Sequence, residues 1–384
     1  MFIGGKYKNE LLYLANWFAR EVLRFRLKKL VTWNNKFDYV DGCTVVLGMC
    51  SKLPDVLMAN LTCLNRAKWP EMSSVIISVD ASEIKNQKQI ENSVKQELKN
   101  LDVKFIYYTK EQSTLANKLQ LPFVFSWLSW CNAIKLVKTR DILIHDYDAL
   151  ILSGALSRRY YSFLASSAKV QGISWYASNG LIADDRLATT FEMFVKTDWI
   201  KSFNPINLFN KNTIIGGRRS VDFDTTLLAQ YLSLNEQERQ IVPMSQEDLM
   251  HPSQMIHQYT MFRKFPGKPL PCFSIILIPF FSYLGGKQAA ISEAVTALKQ
   301  QSSSQVYLLG DDTLINLTSL DKPQIDWALK QIIQACIKLN VSPFNELYEY
   351  GYLLYKSICL KNKEIWTGDF NSQQREWIKK STII

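Results

Sequence analysis

Two aspartates separated by one residue, Asp146 and Asp148, directly follow the apolar run Ile142-Leu-Ile-His145. In extended backbone, residues i and i+2 point the same way, so both carboxylates can face one ligand. Hard oxygen donors suit Mg²⁺ or Mn²⁺ bridged to a diphosphate, where the cation offsets the charge of a departing group. The spacing alone is weak, since Asp222 and Asp224 repeat it. The alternative is that the first pair only caps the strand and begins a turn.

The elements that must position this pair alternate between strands and helices. Short apolar strands are predicted at Thr44–Gly48, Ser74–Asp80, Val103–Tyr108 and Asp141–His145, with helices at Pro54–Ala67, 84–99 and Ser126–Lys138. This pattern predicts an α/β fold with a mostly parallel central sheet and helices on both faces. Ligands of such sheets lie at the carboxyl ends of the strands, which is where Asp80 and Asp146 both occur.

Three segments together resemble the GT-A class of nucleotide-sugar-dependent glycosyltransferases, of the family 2-like kind. They are the strand Thr44–Ser51, the strand-end Asp80 and the helix–strand–aspartate run Cys131–Asp148. The resemblance covers roughly residues 43–155 and extends more loosely to about 265. It implies a hexosyltransferase-type enzyme that uses Mn²⁺ or Mg²⁺ to move a sugar from a UDP- or GDP-type donor to a glycan or lipid-linked acceptor.

The same resemblance implies roles for individual residues. Asp80 would contact the base or ribose of the nucleotide, Asp146 would lie near the ribose and metal, and Asp148 would ligate the metal directly. Arg218 and Arg219 could meet the diphosphate, because guanidinium pairs with phosphate in a bidentate way. The alternative for these two arginines is an exposed loop without a ligand.

In members of this class that invert the anomeric centre, the carboxylate base usually belongs to an acidic pair near a helix start, downstream of a glycine-containing loop. Glu247 and Asp248 follow Gly216-Gly217, and Ser245 is predicted to cap a helix over Leu249–Phe262 with both acids in its first turn. Asp248 is the candidate base. The acids could instead serve only the helix terminus.

Two further questions stay open in this half of the sequence. The pair Asp222/Asp224 is a rival for the base, because it lies shortly after the double glycine. A late histidine is often a further metal ligand in this class, which makes His251 and His257 candidates. Lone histidines, however, are more often structural.

The chain is predicted to have three parts. Residues 1–40 form a basic N-terminal helical arm, 41–270 a GT-A-like catalytic domain, and 271–384 a mixed, mainly helical C-terminal extension. The catalytic domain divides into a nucleotide-binding half at about 43–155 and an acceptor half at about 156–270. A break at Pro266–Pro271 is predicted to precede an apolar strand at Phe273–Ile278, with helices later at 323–339 and 343–360.

The N-terminal arm is predicted to be an amphipathic helix with two distinct rows of side chains. The apolar row comprises Tyr7, Leu11, Leu14, Phe18, Val22 and Phe25, and the basic row comprises Arg20, Arg24 and Lys28. Such a helix either packs its apolar stripe on its own domain and leaves the basic face solvated, or lies on an anionic membrane surface.

Composition narrows the remaining classes of function. The net charge of +10 suits a polyanionic partner, but lysine and arginine are scattered and no nucleic-acid motif occurs, so no nucleic-acid partner is expected. Seven cysteines without a CxxC pair, and no signal peptide or membrane-spanning stretch, favour a cytoplasmic protein, with peripheral contact to the inner face of a membrane as an option. The alternatives are a sugar-phosphate nucleotidyltransferase, for which Gly48–Pro54 is a poor phosphate loop, and a non-catalytic GT-A-like or basic binding protein.

Overall fold

The computed structural model describes thirteen helices and thirteen strands. The residues it describes are 4–33, 38–174, 179–180, 186–217, 219–243, 245–264, 272–300, 305–307, 314–316, 322–341, 344–358, 371–372, 375–376 and 379. The strands are β1 Val40–Met49, β2 Met72–Val79, β3 Asp102–Tyr107, β4 Thr139–His145, β5 Leu150–Ile151, β6 Val170–Ser174, β7 Ala188–Lys196, β8 Lys211–Ile215, β9 Arg219–Phe223, β10 Arg239–Val242, β11 Leu249–Met250, β12 Gln305–Tyr307 and β13 Leu314–Asn316. The helices are α1 Glu10–Leu27, α2 Pro54–Ala67, α3 Gln87–Glu97, α4 Lys110–Leu119, α5 Pro122–Leu136, α6 Ala155–Leu164, α7 Thr197–Lys201, α8 Leu227–Ser233, α9 Met255–Lys264, α10 Cys272–Leu284, α11 Ala290–Gln300, α12 Lys322–Leu339 and α13 Phe344–Ile358.

The chain divides into two compact units, neither of which is continuous in sequence. The first unit comprises residues 1–52, 68–147 and 155–244, and the second comprises 53–67, 148–154 and 245–384. These divisions do not coincide with the boundaries at 40 and 270 expected from the sequence, which stay predictions. A segment can join a unit that is remote in sequence because packing, not chain order, decides its contacts.

A seven-stranded sheet in the order β10-β6-β7-β4-β1-β2-β3 organises the first unit. Strands β1 to β4 run parallel, and β7 is the one antiparallel member, paired on both sides with β4 and β6. The central strands have the near-continuous burial expected of a sheet covered on both faces, with β4 buried at six of its seven positions. The predicted α/β class with a mostly parallel sheet is therefore confirmed.

The second unit is mainly helical and corrects one prediction. The apolar run that was expected to form a strand at Phe273–Ile278 lies in the 13-residue helix α10, with Pro279 inside it. Its residues 275–278 are all at most 3% exposed, and α10 packs against α2, α9, α11 and α12. A helix that is apolar all round is a buried helix, and a short apolar run does not distinguish it from a buried strand.

The helix α1 belongs to the first unit, and its orientation corrects a second expectation. Arg20 and Arg24 of the predicted solvated row point inward, towards Asp222 and the carbonyl of Phe209 respectively. Most of the apolar row is exposed instead, Phe18 by 65% among them. Ion-pair and carbonyl partners on the neighbouring elements make the inward position of the arginines favourable.

Two smaller expectations concern cysteine and the membrane. Cys43, Cys50, Cys63, Cys131 and Cys336 are free and buried, as predicted for thiols that act as small apolar residues. Among the residues that the structure describes, no helix is long and apolar enough to cross a membrane.

The ammonium group of Lys201 is buried in the first unit. We therefore expect the stability of the protein to depend on pH. Lys201 is 1% exposed, and its Nζ donates to the carbonyl of Val137 at 2.7 Å. Burial lowers the pKa of Lys201 from 10.5 to about 8. Between these values the unfolded chain binds one proton more than the folded chain, so the free energy of unfolding should rise with pH, by about 3 kcal/mol in total.

Denaturation by urea from neutral pH to about pH 10 tests this prediction on the wild type and on Lys201→Met. The rise at alkaline pH should be smaller in the variant by the contribution of Lys201, because tyrosine and cysteine titrations are common to both proteins. Parallel stability curves for the two proteins would contradict it.

Candidate active site

Asp80 and Asp146 lie at the carboxyl edge of the sheet, on either side of β1. Asp80 directly follows β2 and Asp146 directly follows β4, and both strands pair in parallel with β1. Two strand spacings set their backbones about 10 Å apart. From β1 the chain adds β2 and β3 on one side of the sheet and then places β4 on the other side of β1. The order in which strands are added therefore reverses between β1 and β4, and ligands of open parallel sheets bind in the crevice at such a switch point.

Asp80 is held by the loop that leaves β1. Its carboxylate accepts a hydrogen bond from the backbone N–H of Ser51 at 2.8 Å, and its own N–H donates to the carbonyl of Met49 at 3.1 Å. Burial raises the pKa of Asp80, while the hydrogen bonds from Ser51 and the charge of Lys52 oppose that rise. The loop after β1 is thus tied to the end of β2. The backbone role of Ser51 left no signal in the sequence.

Asp146 is positioned by the antiparallel strand β7. The backbone N–H of Asp146 donates to the carbonyl of Phe191 at 3.1 Å, and Nδ1 of His145 lies 3.0 Å from the same oxygen. His145 is fully buried on the opposite side of the strand, while Asp146 is half-buried. These contacts fix where β4 ends and leave the carboxylate of Asp146 at the edge.

In the second unit, a short antiparallel ribbon brings Asp148 and His251 together. Strands β5 and β11 pair Leu150 with Met250, and the two residues of interest flank this pair at the same end of the ribbon. Nε2 of His251 lies 3.6 Å from Oδ1 of Asp148, and both side chains are largely buried. Of the two histidine candidates, His251 is therefore the one beside an aspartate of the predicted metal site.

Asn60 of α2 anchors the backbone of this ribbon. The Asn60 side chain is 1% exposed and donates through Nδ2 to the carbonyl of Ala149 at 2.7 Å. That carbonyl lies one residue after Asp148, so the bond restricts where Asp148 can point. Sequence reasoning missed Asn60, because an asparagine inside a regular helical pattern gives no sign of its partner.

Asp248 lies at the other end of the ribbon, about 10 Å from His251 along the strand. Its backbone carbonyl accepts from the N–H of Leu152 at 2.8 Å, and its carboxylate accepts from the hydroxyl of Ser153 at 2.5 Å. The carboxylate is half-buried. Ser153 is a second residue that the sequence did not single out.

The helix predicted over Leu249–Phe262 is wrong at its start, and the cap at Ser245 is wrong with it. Ser245 instead begins a turn, and its hydroxyl accepts from the N–H of Glu247 at 3.3 Å. The helix α9 begins only at Met255. Pro252 is the physical reason, since proline drives the residue before it out of the helical region and β11 takes up the chain before that point.

The other candidate residues fall in separate places. Glu247 is exposed, and its carboxylate lies 3.3 Å from Nζ of Lys338. His257 is half-buried on α9, and Arg219 is half-buried in β9, next to the Gly216-Gly217 turn of the β8–β9 hairpin. Arg218 lies outside the described residues.

The rival pair Asp222 and Asp224 has structural partners in the first unit. Oδ1 of Asp222 lies 3.5 Å from Nη2 of Arg20. Asp224 accepts from Nδ2 of Asn210 at 2.5 Å and from the N–H of Thr225 at 2.8 Å, which ends β9 in a side-chain-capped turn. These contacts give the second Asp-x-Asp pair a role in holding the hairpin and α1.

Three residues have the right chemistry for a divalent cation. In the second unit, Asp148 and His251 could offer a carboxylate oxygen and an imidazole nitrogen to a metal ion. Asp146 stays a ligand predicted from the sequence, and carboxylate oxygens are donors that Mg²⁺ and Mn²⁺ both accept. These donors therefore fit a divalent cation, which the sequence resemblance implied to be Mn²⁺ or Mg²⁺.

Solved structures of glycosyltransferases resemble this chain in fold. No protein-family model matches the sequence, and no curated protein matches it either. The mannosyltransferase PcManGT from Pyrobaculum calidifontis, in complex with GDP-Man and Mn²⁺, is 11% identical at a TM-score of 0.37, over 92% of this chain and 98% of that one. TarS from S. aureus is 13% identical at 0.36, over 86% and 97%. Core-mannan synthase A from Aspergillus fumigatus, in its Mn/GDP form, is 8% identical at 0.36, over 58% and 80%.

At TM-scores of 0.36–0.37, these likenesses do not assign this chain to a family. Identities of 8–13% describe a likeness in fold and assign no residue a role. The chemistry of the site must be argued from the chain's own residues.

Proposed function

We propose that this protein is a metal-dependent glycosyltransferase that moves a sugar from a nucleoside diphosphate to a glycan or lipid-linked acceptor in the cytoplasm. The observation that carries the proposal is the pair of carboxylates at the switch point of a parallel sheet, Asp80 after β2 and Asp146 after β4. That location supports a nucleotide in the crevice beside β1. Asp148, two residues further on with His251 beside it, supports a cation on the diphosphate.

In this proposal each residue of the site has a distinct task. Asp80 accepts hydrogen bonds from the base or ribose, and Ser51 keeps its carboxylate in place. Asp146, Asp148 and His251 would hold Mn²⁺ or Mg²⁺, which would offset the negative charge that develops on the diphosphate. Arg218 and Arg219 are proposed to contact the phosphates, and His257 remains a candidate further ligand.

Asp248 is the proposed base, with Glu247 beside it. Its carboxylate would take the proton of the acceptor hydroxyl as that oxygen attacks the anomeric carbon and the bond to the diphosphate breaks. The hydroxyl of Ser153 donates to Asp248 and would hold it in one orientation. Asp248 does not lie at the start of a helix, so a helix terminus gives no support to its role as the base. The proposal rests instead on its position beside the β5–β11 ribbon and on its half-buried carboxylate.

Calorimetry with UDP and GDP, each with MnCl₂ or with EDTA, tests the proposal on the wild type. One nucleoside diphosphate should bind at least about tenfold more tightly with Mn²⁺, since a cation held by the protein carboxylates would offset the negative charge of the phosphates. Plain RNA serves as the comparison polyanion. Metal-independent RNA binding together with no diphosphate binding would overturn the proposal in favour of a basic binding protein.

A further inference from the structure

The outward face of α1 carries a continuous apolar stripe. Its residues recur every three or four positions, which is one face of a helix, and they are Leu11, Leu14, Phe18, Val22 and Phe25, exposed by 81%, 48%, 65%, 38% and 68%. From the first to the last, the stripe runs about 21 Å along the helix. Scattered single apolar residues are ordinary on a surface, but a contiguous row of this length marks a surface that binds something.

The inward face of α1 already has its partners. Tyr13, Leu23 and Leu27 are buried against the first unit. Arg20 lies 4.1 Å above the ring of Phe123, and Arg24 donates to a backbone carbonyl. A simple rotation of α1 to bury the stripe would break these contacts, so the exposed stripe belongs to the docked state of the helix.

Cations flank the stripe at both ends. Lys8 precedes it, and Arg26, Lys28 and Lys29 lie at its C-terminal end, all four exposed. Nζ of Lys28 lies 4.3 Å above the ring of Phe25, which places positive charge directly beside the apolar row. Within α1, Glu10 is the exposed acid, while Glu21 lies 3.5 Å from both Arg24 and Lys211.

This charge pattern distinguishes between two candidate binding partners of the stripe, a second copy of the chain and an anionic bilayer. In a parallel helix pair, a second copy of the chain would set Arg26, Lys28 and Lys29 against the same three cations, and like charges repel. In an antiparallel pair these cations would meet Lys8 and Glu10, whose charges offset each other, so charge gives such a pair little attraction. A bilayer with anionic headgroups meets both requirements, since acyl chains accept the apolar side chains and the headgroups attract the flanking cations.

We propose that α1 is an interfacial membrane anchor that lies in the plane of an anionic bilayer with Phe18 and Phe25 inserted. The inward arginines hold the helix on the protein, and the outward stripe holds the protein on the lipid. This interaction does not depend on the transfer chemistry, so its failure and that of the proposed function are separately observable.

Co-sedimentation of the full chain with extruded vesicles tests this proposal. The wild type should bind vesicles of phosphatidylcholine mixed with phosphatidylglycerol and bind phosphatidylcholine alone more weakly. The double variant Phe18→Ser/Phe25→Ser should lose about a hundredfold in partitioning, because two exposed aromatic side chains no longer enter the bilayer. Lys28→Glu/Lys29→Glu should lose the preference for the anionic vesicles.

The matched control is Leu232→Ser, which removes another exposed apolar residue of the first unit, 73% exposed on α8, and should bind like the wild type. Circular dichroism checks that each variant is folded. Equal partitioning of wild type and the phenylalanine variant would overturn the proposal. So would a wild-type dimer, seen by sedimentation equilibrium without lipid, that the phenylalanine variant abolishes.

Discussion

Replacing Asp148 with alanine is expected to lower the rate of donor-sugar turnover by about a thousandfold. The side chain of Asp148 is 11% exposed and lies beside His251. Its loss would remove a charged metal ligand that a water molecule does not replace. A cation stabilises the negative charge of a leaving diphosphate only when it is held close to that charge, so a misplaced cation would stabilise the transition state less. The loss should appear in turnover and in the Mn²⁺ dependence of nucleotide binding.

The measurement is hydrolysis or transfer of UDP- and GDP-sugars with and without Mn²⁺. Asp148→Asn keeps the shape of the side chain and separates a loss of charge from a loss of packing. Asp41→Asn is the matched control, because Asp41 lies near the amino end of β1 and its side chain is 91% exposed. Equal activity of Asp148→Ala and wild type would eliminate the metal assignment.

Replacing Asp248 with asparagine is expected to lower kcat by about two to three orders of magnitude, while donor binding stays within about twofold. An amide accepts the hydrogen bond from Ser153 but cannot take a proton from the acceptor. The loss should therefore fall on the chemical step. Steady-state kinetics with saturating donor, together with calorimetry of nucleotide binding, separates the two quantities.

Asp222→Asn is the decisive comparison for the base. Since Asp222 lies beside Arg20 at the hairpin, its replacement should affect stability more than turnover. Burial raises the pKa of Asp222, and the charge of Arg20 opposes that rise. A larger fall in kcat for Asp222→Asn than for Asp248→Asn, at unchanged stability, would transfer the role of base to the rival pair.

The sequence predicted the parallel half of the fold with small errors at the ends of elements. The helix α2 was predicted at its observed bounds, and β4 and Asp146 were predicted in the right order. Local signals were sufficient here, because β-branched runs, a proline at a helix start and a strand-end carboxylate each act over a few residues.

Predictions failed where a distant partner decided the conformation. The run at Phe273–Ile278 forms part of a helix because other helices surround it, and periodicity is silent for a segment that is apolar on every side. The acids at Glu247 and Asp248 lie in a turn because β5 pairs with the residues that follow. The antiparallel strand β7, which positions Asp146, carried no recognisable signal of its pairing either.

By itself, the amino-acid sequence determined the α/β class, the carboxylates at the strand ends and the two rows of side chains on α1. Each depends on short-range chemistry or on periodicity that a single segment contains. Only the tertiary structure decided that His251 stands beside Asp148, that Asp222 pairs with Arg20, and that α1 turns its arginines inward and its phenylalanines outward. The reason is physical: an amphipathic pattern defines two faces, and the partners available around it choose which face is buried.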